Sequence, residues 1–156
     1  MGCATIEPKL TEKTNPYNQM KSYKYEPIIT ASCENPSNLS TFVTVGFLGG
    51  DGIHSIFVHY TSKGWVFLDS NHGLDVLIDG AVFKLKGTGL NDRNVVYGAT
   101  VEEKSYYLVT KEITEKMSKA KKVQFRATGS KGYLERCLYP EQLKFFANVI
   151  PLVGTK

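Results

Sequence analysis

Alternation of hydrophobic and polar positions begins near residue 40 and predicts a run of β-strands. The segment STFVTVGFLGGDGIHSIFVHYTSKGWVFLDS contains three stretches of alternating or continuous apolar residues, separated by the glycine-rich turns GGDG and SKG. This pattern is typical of an antiparallel meander, and it predicts strands at about 41–48, 54–61 and 64–69.

A second group of short apolar stretches follows. Asp79 and Gly80 separate two of them and form the strongest hairpin signal in the chain, because glycine accepts the positive φ of a two-residue turn. The glycine-rich segment 87–94 predicts a loop, after which VVYGATVEE and KSYYLVT are two further candidate strands. A second hairpin is predicted around Ser130 and Lys131, between KVQFRATG and GYLERCLY.

Two segments in the C-terminal half have helical periodicity. In TKEITEKMSKAKK, apolar residues recur three and four positions apart, Thr110 is suited to the N-cap, and lysines collect at the C-terminal end. In PEQLKFFANVI, Pro140 is suited to the first turn, a stripe of apolar residues follows, and Pro151 is expected to end the helix. The sequence therefore predicts two short helices.

Many short strands with close turns and two late helices predict a mainly β fold. We expect an antiparallel β-sandwich or a strongly bent sheet, and an α+β sheet with both helices on one face is the alternative. Strands and helices do not alternate along the chain, which disfavours a doubly wound nucleotide-binding fold. A length of 156 residues fits one domain.

The first residues of the chain lack this periodicity. Residues 1 to about 38 hold four of the six prolines and many Asn, Lys, Ser and Thr residues. Such a composition buries too little apolar surface to offset the entropy of ordering, so residues 1–25 are predicted to form a flexible tether and residues 26–156 a single β-rich domain. The segment YEPIITAS at the boundary is a candidate edge strand, because Pro27 is tolerated at a sheet edge.

The charge distribution is mildly basic. The chain has 19 Lys and Arg against 15 Asp and Glu, and the basic residues are spread out except for Lys119, Lys121 and Lys122. This distribution lacks the clustered basic patch that is typical of nucleic-acid-binding proteins. We therefore expect no nucleic-acid partner. No stretch approaches the about 18 apolar residues of a membrane span, so any membrane contact is expected through a lipid.

The three cysteines are Cys3, Cys33 and Cys137. In a reducing compartment they would be three unrelated thiols. Alternatively, Cys33 forms a disulfide with Cys137, and Cys3 takes no part in it. That bridge would close a loop of about 105 residues and stabilise the fold by up to about 4 to 5 kcal/mol in the chain-entropy model.

The N-terminal GCATIEP resembles the start of a mature bacterial lipoprotein, in which a glycine often precedes the lipidated cysteine and a polar linker follows. The resemblance implies that Cys3 carries the lipid. With Ala4 rather than Asp after the cysteine, it also implies the periplasmic side of the outer membrane, where a disulfide persists. Myristoylation at the Met-Gly start is the competing interpretation, but Ile6 stands where that signal has Ser or Thr.

No residue pattern identifies a reaction or a ligand. His54 and His59 lie five positions apart in one predicted strand, so they should point to opposite faces and not share a metal. Ser70, His72 and Asp75 are close in sequence, but sequence neighbours seldom form a catalytic triad. A polar loop is favoured there.

The remaining candidates favour structural roles. Cys137 lacks a surrounding nucleophile motif, and Arg126 is expected to pair with a surface carboxylate. The spacing of Asp69, Asp75 and Asp79 matches no calcium loop. We expect neither a cofactor nor a metal.

Together these features favour a non-enzymatic, lipid-anchored domain of the bacterial cell envelope with a structural or protein-recognition role and an envelope protein as partner. Two alternatives stay open. One is a periplasmic small-ligand-binding protein with an apolar pocket between sheet and helices. The other is an enzyme with an unrecognised cysteine or acidic site.

Overall fold

We describe the fold from a computed structural model of the chain, in which residues 10–30, 33, 42–50, 53–138 and 140–153 are described. These residues form ten strands, two α-helices and a 3-10 turn at Ser70–His72. In chain order the strands are β1 (Leu10–Thr14), β2 (Lys21–Ile29), β3 (Phe42–Gly50), β4 (Ile53–Ser62), β5 (Leu74–Ile78), β6 (Ala81–Leu85), β7 (Gly87–Val96), β8 (Thr100–Leu108), β9 (Val123–Gly129) and β10 (Gly132–Leu138). The helices are α1 (Lys111–Lys119) and α2 (Pro140–Val153).

The strands form two antiparallel sheets. Sheet 1 has six strands in the order β1-β2-β3-β4-β8-β7, and sheet 2 has four in the order β10-β9-β5-β6. Alternate residues of both sheets point into one buried cluster, in which Val43, Val45 and Val58 of sheet 1 lie near Phe125, Ala127 and Leu134 of sheet 2. The fold is therefore mainly β and sandwich-like, as the sequence predicts.

Both helices pack on this core. Met117 of α1 and Leu143 and Phe146 of α2 are buried in the same cluster as the two sheets. Thr110 caps α1 as predicted, and its Oγ1 accepts a hydrogen bond from the backbone N–H of Ile113 at 3.3 Å. Apolar residues of the pattern that predicts each helix thus pack in the core of the sandwich.

Helix α2 begins at Pro140, as predicted, but Pro151 does not end it. The helix continues to Val153. A proline in the last turn keeps a helical φ and gives up a single backbone hydrogen bond, so two further residues can follow it.

The two predicted hairpins are confirmed. Asp79 and Gly80 have φ of 45° and 94° and join β5 to β6, and the turn at 130–131 joins β9 to β10. The Asp79 carboxylate also accepts hydrogen bonds from the backbone N–H groups of Lys121 and Lys122 at 3.0 and 2.9 Å. This contact fastens the first hairpin to the segment that leads into β9.

The predicted strand at 64–69 is wrong. Residues 65–69 run as an irregular segment from the end of β4 to sheet 2, where Leu68 forms an isolated bridge with Gly129. The backbone N–H groups of Val66, Phe67 and Leu68 bond to a side-chain carboxylate, described below, whereas the N–H of Asp69 bonds to the carbonyl of Thr128 in β9 at 3.4 Å.

The predicted loop at 87–94 is also wrong, because it belongs to β7, an edge strand of sheet 1. Its pairing with β8 shifts register between Gly87 and Asn91, and such an irregularity accommodates glycine in a strand. Tyr97 and Gly98 have positive φ and open the turn into β8. VVYGATVEE therefore contains a hairpin turn and not one continuous strand.

The structure differs from the predicted tether over residues 1–25. β1 and β2 pair with each other from Leu10–Tyr25 to Thr14–Lys21, and β2 pairs with β3. The side chains of β1 are mostly exposed, so backbone pairing along the sheet, which a composition argument does not count, orders this hairpin. Residues 1–9 lie outside the described residues, and for them the tether stays a prediction.

The segment around Pro27 lies in β2. Its pairing with β3 shifts register between Tyr25 and Ile28, and Tyr25 is the last β2 residue that pairs with β1. Among the described residues, Pro27 follows the last pairing of β2 with β1, and it lies at the register shift between β2 and β3, where a missing N–H is tolerated. β2 itself lies between β1 and β3, so the prediction that YEPIITAS forms the first edge strand is wrong.

Candidate functional site

Cys33 and Cys137 form a disulfide, with their Cα atoms 5.0 Å apart. Of the two alternatives that the sequence left open, three free thiols or a Cys33–Cys137 bridge, the structure has the bridge. Cys137 alternates with Glu135 on the outer face of sheet 2 and is nevertheless fully buried. A bonded sulfur is not a thiolate nucleophile, so Cys137 has a structural role here. Cys3 lies outside the described residues.

His54 and His59 point to opposite faces of sheet 1, as predicted. His54 stacks on the buried Phe47, with ring centroids 6.0 Å apart. His59 lies on the outer face, where its Nε2 is 3.3 Å from Glu102 Oε1. The two imidazoles therefore cannot bind one metal.

The side chains of SNHGLD do not form a triad among the described residues. His72 Nδ1 lies 3.3 Å from Asp69 Oδ2. Asp75 pairs instead with Lys84 of the neighbouring strand, at 3.3 Å. The side chain of Ser70 lies outside the described part of the structure.

Arg126 pairs with a surface carboxylate, as predicted. Its Nη2 lies 3.4 Å from Glu135 Oε2, and its guanidinium carbon lies 4.8 Å from the centre of the Tyr133 ring. In the described ranges, no group of three or more His, Cys, Asp or Glu residues is placed to hold a metal ion.

A buried carboxylate that the sequence pattern did not indicate holds residues 65–69, which we call the anchored segment. Glu103 of β8 is 1% exposed. Its two oxygens accept hydrogen bonds from three consecutive backbone N–H groups, those of Val66, Phe67 and Leu68, at 2.7, 3.0 and 2.6 Å. Arg93 Nε lies 3.7 Å from Glu103 Oε2, so the buried charge has a cationic neighbour.

Further contacts with Arg93 and Lys131 hold the anchored segment in place. Arg93 Nη2 donates to the carbonyl of Leu68 at 2.6 Å. Phe67 has a φ of 54°, which is uncommon for an aromatic residue, and its ring centre lies 4.8 Å from Lys131 Nζ and 5.5 Å from that of Trp65. Together these contacts hold the anchored segment against β7, β8 and the turn between β9 and β10.

An open groove of about 400 Å³ lies on the outer face of sheet 1, across β4, β8 and β7. We call it the outer groove. Its outward side chains are all polar and come from three neighbouring strands: His59, Asp92, Asn94, Glu102 and Lys104. Register places His59, Lys104 and Asp92 in one row across the sheet, and Glu102 and Asn94 in the next.

Contacts within the sheet orient several of these groups. The Tyr106 hydroxyl donates to Asp92 Oδ2 at 2.8 Å. Burial raises the pKa of Tyr106 to about 12, with a further contribution from Asp92, so the phenol keeps its proton. Lys104 Nζ lies 5.4 Å from the ring centre of Phe57, and this ring packs on Gly46, where a Cβ would come within 2.2 Å of it.

Thr44 borders the outer groove on β3. It lies opposite His59 in the register of the sheet, is 7% exposed, and its hydroxyl has no hydrogen-bond partner among the described residues. Buried hydroxyls are normally paired. The Thr44 hydroxyl is closed to solvent, however, and Thr44 does not line the outer groove.

The space between the two sheets contains a much smaller cavity. It has a volume of about 10 Å³ and is lined by Val43, Val45, Val58, Phe125, Ala127, Leu134 and Arg136. Such a volume holds at most one water molecule. It does not hold an organic ligand.

No family model, curated protein or solved structure matches the chain. Among the described residues, no helix has both the length and the apolar character that crossing a bilayer requires. A function for the chain is therefore inferred from its own residues.

We expect His59 to have a pKa below that of an ordinary histidine. Burial lowers the pKa most and the Lys104 ammonium lowers it further, with a small contribution from Lys24, whereas Glu102 raises it. The folded-state pKa is thus below the unfolded value of about 6.5. Above about pH 6.5, His59 is neutral and its full contribution to the stability of the fold is present. This contribution is lost as the pH falls through the folded-state pKa.

Titration of the His59 imidazole by NMR measures this pKa. Lys104→Met should raise it, because a like charge is removed, and Glu102→Gln should lower it further. If both variants titrate like the parent protein, His59 does not face these two groups and the described groove geometry is wrong.

Proposed function

We propose that the protein is a non-enzymatic recognition domain of the bacterial cell envelope, held on the periplasmic side of the outer membrane by a lipid on Cys3. The Cys33–Cys137 disulfide carries this proposal. Structural disulfides persist in oxidising compartments such as the periplasm and are rare in the cytosol. Since the bridge uses the other two cysteines, Cys3 takes no part in it, which supports the lipoprotein-like resemblance of the N-terminus.

The length of chain between Cys3 and the sandwich limits where the domain would lie. Leu10, the first residue of β1, follows Cys3 by seven positions. Seven extended residues span at most about 25 Å. A lipid on Cys3 would therefore keep the β1–β2 hairpin close to the bilayer surface, with the sandwich extending from it.

The recognition surface that we propose is the outer groove. Its polar side chains are fixed on three paired strands, and groups on strands are positioned more precisely than groups on loops. The cavity between the sheets is too small for the alternative of a ligand enclosed in the core. The catalytic candidates support a non-enzymatic role, because Cys137 is bonded and His72 and Asp75 have separate partners.

Replacement of Cys3 tests the anchor. The chain with its native upstream sequence is expressed in a bacterial host, the membranes are separated, and the N-terminal peptide is analysed by mass spectrometry. We expect an acyl modification on Cys3, and Cys3→Ser should lose it completely and move the protein to the soluble periplasmic fraction.

The double variant Cys33→Ala/Cys137→Ala is the matched control, because it removes two cysteines and should keep the acyl group. An unmodified Cys3 in the membrane fraction, or a Cys3→Ser protein that stays there, would refute the anchor. A domain recovered only from the cytosol with three free thiols would refute the compartment.

A further inference from the structure

We propose that the outer groove binds a neutral saccharide. This inference specifies the ligand of the proposed recognition domain. It rests on the proposed function for the compartment in which the protein encounters that ligand. The observation behind it is a preformed polar groove whose side chains supply both hydrogen-bond donors and acceptors while their charges nearly balance.

The lining of the outer groove favours a ligand rich in hydrogen-bonding groups. Its volume of about 400 Å³ lies within the range of small-molecule sites, about 300 to 1,000 Å³. The centre of a protein interface is usually aromatic or apolar and poor in charged residues. The lining of the outer groove includes the charged residues Asp92, Glu102 and Lys104, so a partner that displaces water must satisfy these groups itself.

The charges of the groove favour a neutral ligand. Asp92 and Glu102 carry two negative charges, Lys104 carries one positive charge, and His59 is neutral near pH 7 because burial lowers its pKa. Arg93 is directed to the anchored segment, where it bonds the carbonyl of Leu68. An anion would face two carboxylates and a cation would face Lys104, whereas hydroxyl groups can donate to the carboxylates and accept from the ammonium.

Several groups are oriented before a ligand arrives. The Tyr106 hydroxyl fixes Asp92, and His59 contacts Glu102 at 3.3 Å. Preorganisation of this kind reduces the entropic cost of binding.

Titration with neutral oligosaccharides tests the proposal. The soluble Cys3→Ser chain is titrated with chitotetraose, cellotetraose and maltotetraose, and two-dimensional amide NMR spectra are recorded. We expect at least one of them to cause saturable shifts at residues 59, 92–94 and 102–104, in β4, β7 and β8. Glu102→Gln and Asp92→Asn should each weaken binding about tenfold, because a hydrogen bond to a charged group is lost.

Glu135→Gln is the matched control. Glu135 also lies on the outer face of a sheet, is similarly exposed and contacts a basic residue, but it lies on sheet 2. This variant should bind like the parent protein, and all three variants should keep the parent melting temperature. If it loses as much affinity as Glu102→Gln, the binding is not in the groove.

Three outcomes would overturn the saccharide site. None of the three tetrasaccharides shifts the groove amides, the shifts map to sheet 2 or the helices, or a photocrosslinker at position 102 captures an envelope protein while the sugars fail. The last result would make the groove a protein-binding surface. Because the titration uses a chain without Cys3, failure of the lipid anchor leaves its result unchanged, and the two proposals fail separately.

Discussion

Replacing Glu103 by alanine is expected to lower the free energy of unfolding by about 3 to 5 kcal/mol. The change removes the acceptor of three consecutive backbone N–H groups and the anionic neighbour of Arg93. These groups would lose their partners at a site that is 1% exposed. Chemical unfolding, followed by circular dichroism, measures the loss.

A graded series separates the hydrogen bonds from the volume of the side chain. Glu103→Gln keeps the shape, and its one amide oxygen can still accept from Val66 and Phe67, which share Oε1 in the parent protein. Its NH₂ group would then face the N–H of Leu68, a donor against a donor. We therefore expect glutamine to lose roughly half as much stability as alanine.

Glu102→Gln is the control for this series. Glu102 is adjacent in β8 but lies on the outer face and is about one-third exposed, so its loss should cost less than about 1 kcal/mol. The fluorescence of Trp65, the single tryptophan, should change in the Glu103 variants and not in the control. A Glu103→Ala protein as stable as the control would show that the carboxylate does not hold the anchored segment.

Local chemistry explains what the sequence predicted correctly. The Asp79–Gly80 turn requires positive φ, and a threonine at position 110 can accept a hydrogen bond from an N–H three residues later. Both signals lie within a few residues of the structure that they specify. The sandwich-like class follows because many such signals agree.

Contacts between distant residues explain what the sequence did not predict. Glu103 accepts the backbone hydrogen bonds of residues 66–68, although it lies more than 30 positions away in the sequence. The signal for this contact in the sequence is a carboxylate at an inward position of an alternating strand. β7 and the β1–β2 hairpin form because a neighbouring strand offers its backbone. The described side chains of β7, β1 and residues 21–24 of β2 are exposed or half-buried, so they lack the buried apolar pattern that periodicity detects.

The outer groove could not be predicted for a related reason. Of its outward residues, His59 was identified from the sequence, but as one of a histidine pair and not as a partner of Glu102. Pairing of β4 with β8 and of β8 with β7 brings His59, Lys104 and Asp92 into one row. Strand register is a property of the folded sheet, and the linear order of these residues does not contain it.

Breaking the disulfide is the second large effect that we expect. The bridge joins positions 104 residues apart, and closing a loop of this length stabilises a fold by about 4 to 5 kcal/mol in the chain-entropy model. Cys33→Ala/Cys137→Ala, and the parent protein in reductant, should both lose stability on this scale. Guanidinium unfolding with and without reductant measures the loss, and alanine avoids burying new hydroxyl groups at a site where Cys137 is 0% exposed.

Cys3→Ser is the control, since Cys3 is outside the bridge, and its unfolding should depend on reductant as that of the parent does. A loss below about 1 kcal/mol for the double variant would mean that the unfolded chain gains little freedom when the bridge opens. A large loss has a further consequence, because small domains have a net stability of only about 5 to 15 kcal/mol. A domain that loses about a quarter or more of this in a reducing compartment is suited to an oxidising one, which is where the proposed lipid on Cys3 would place it.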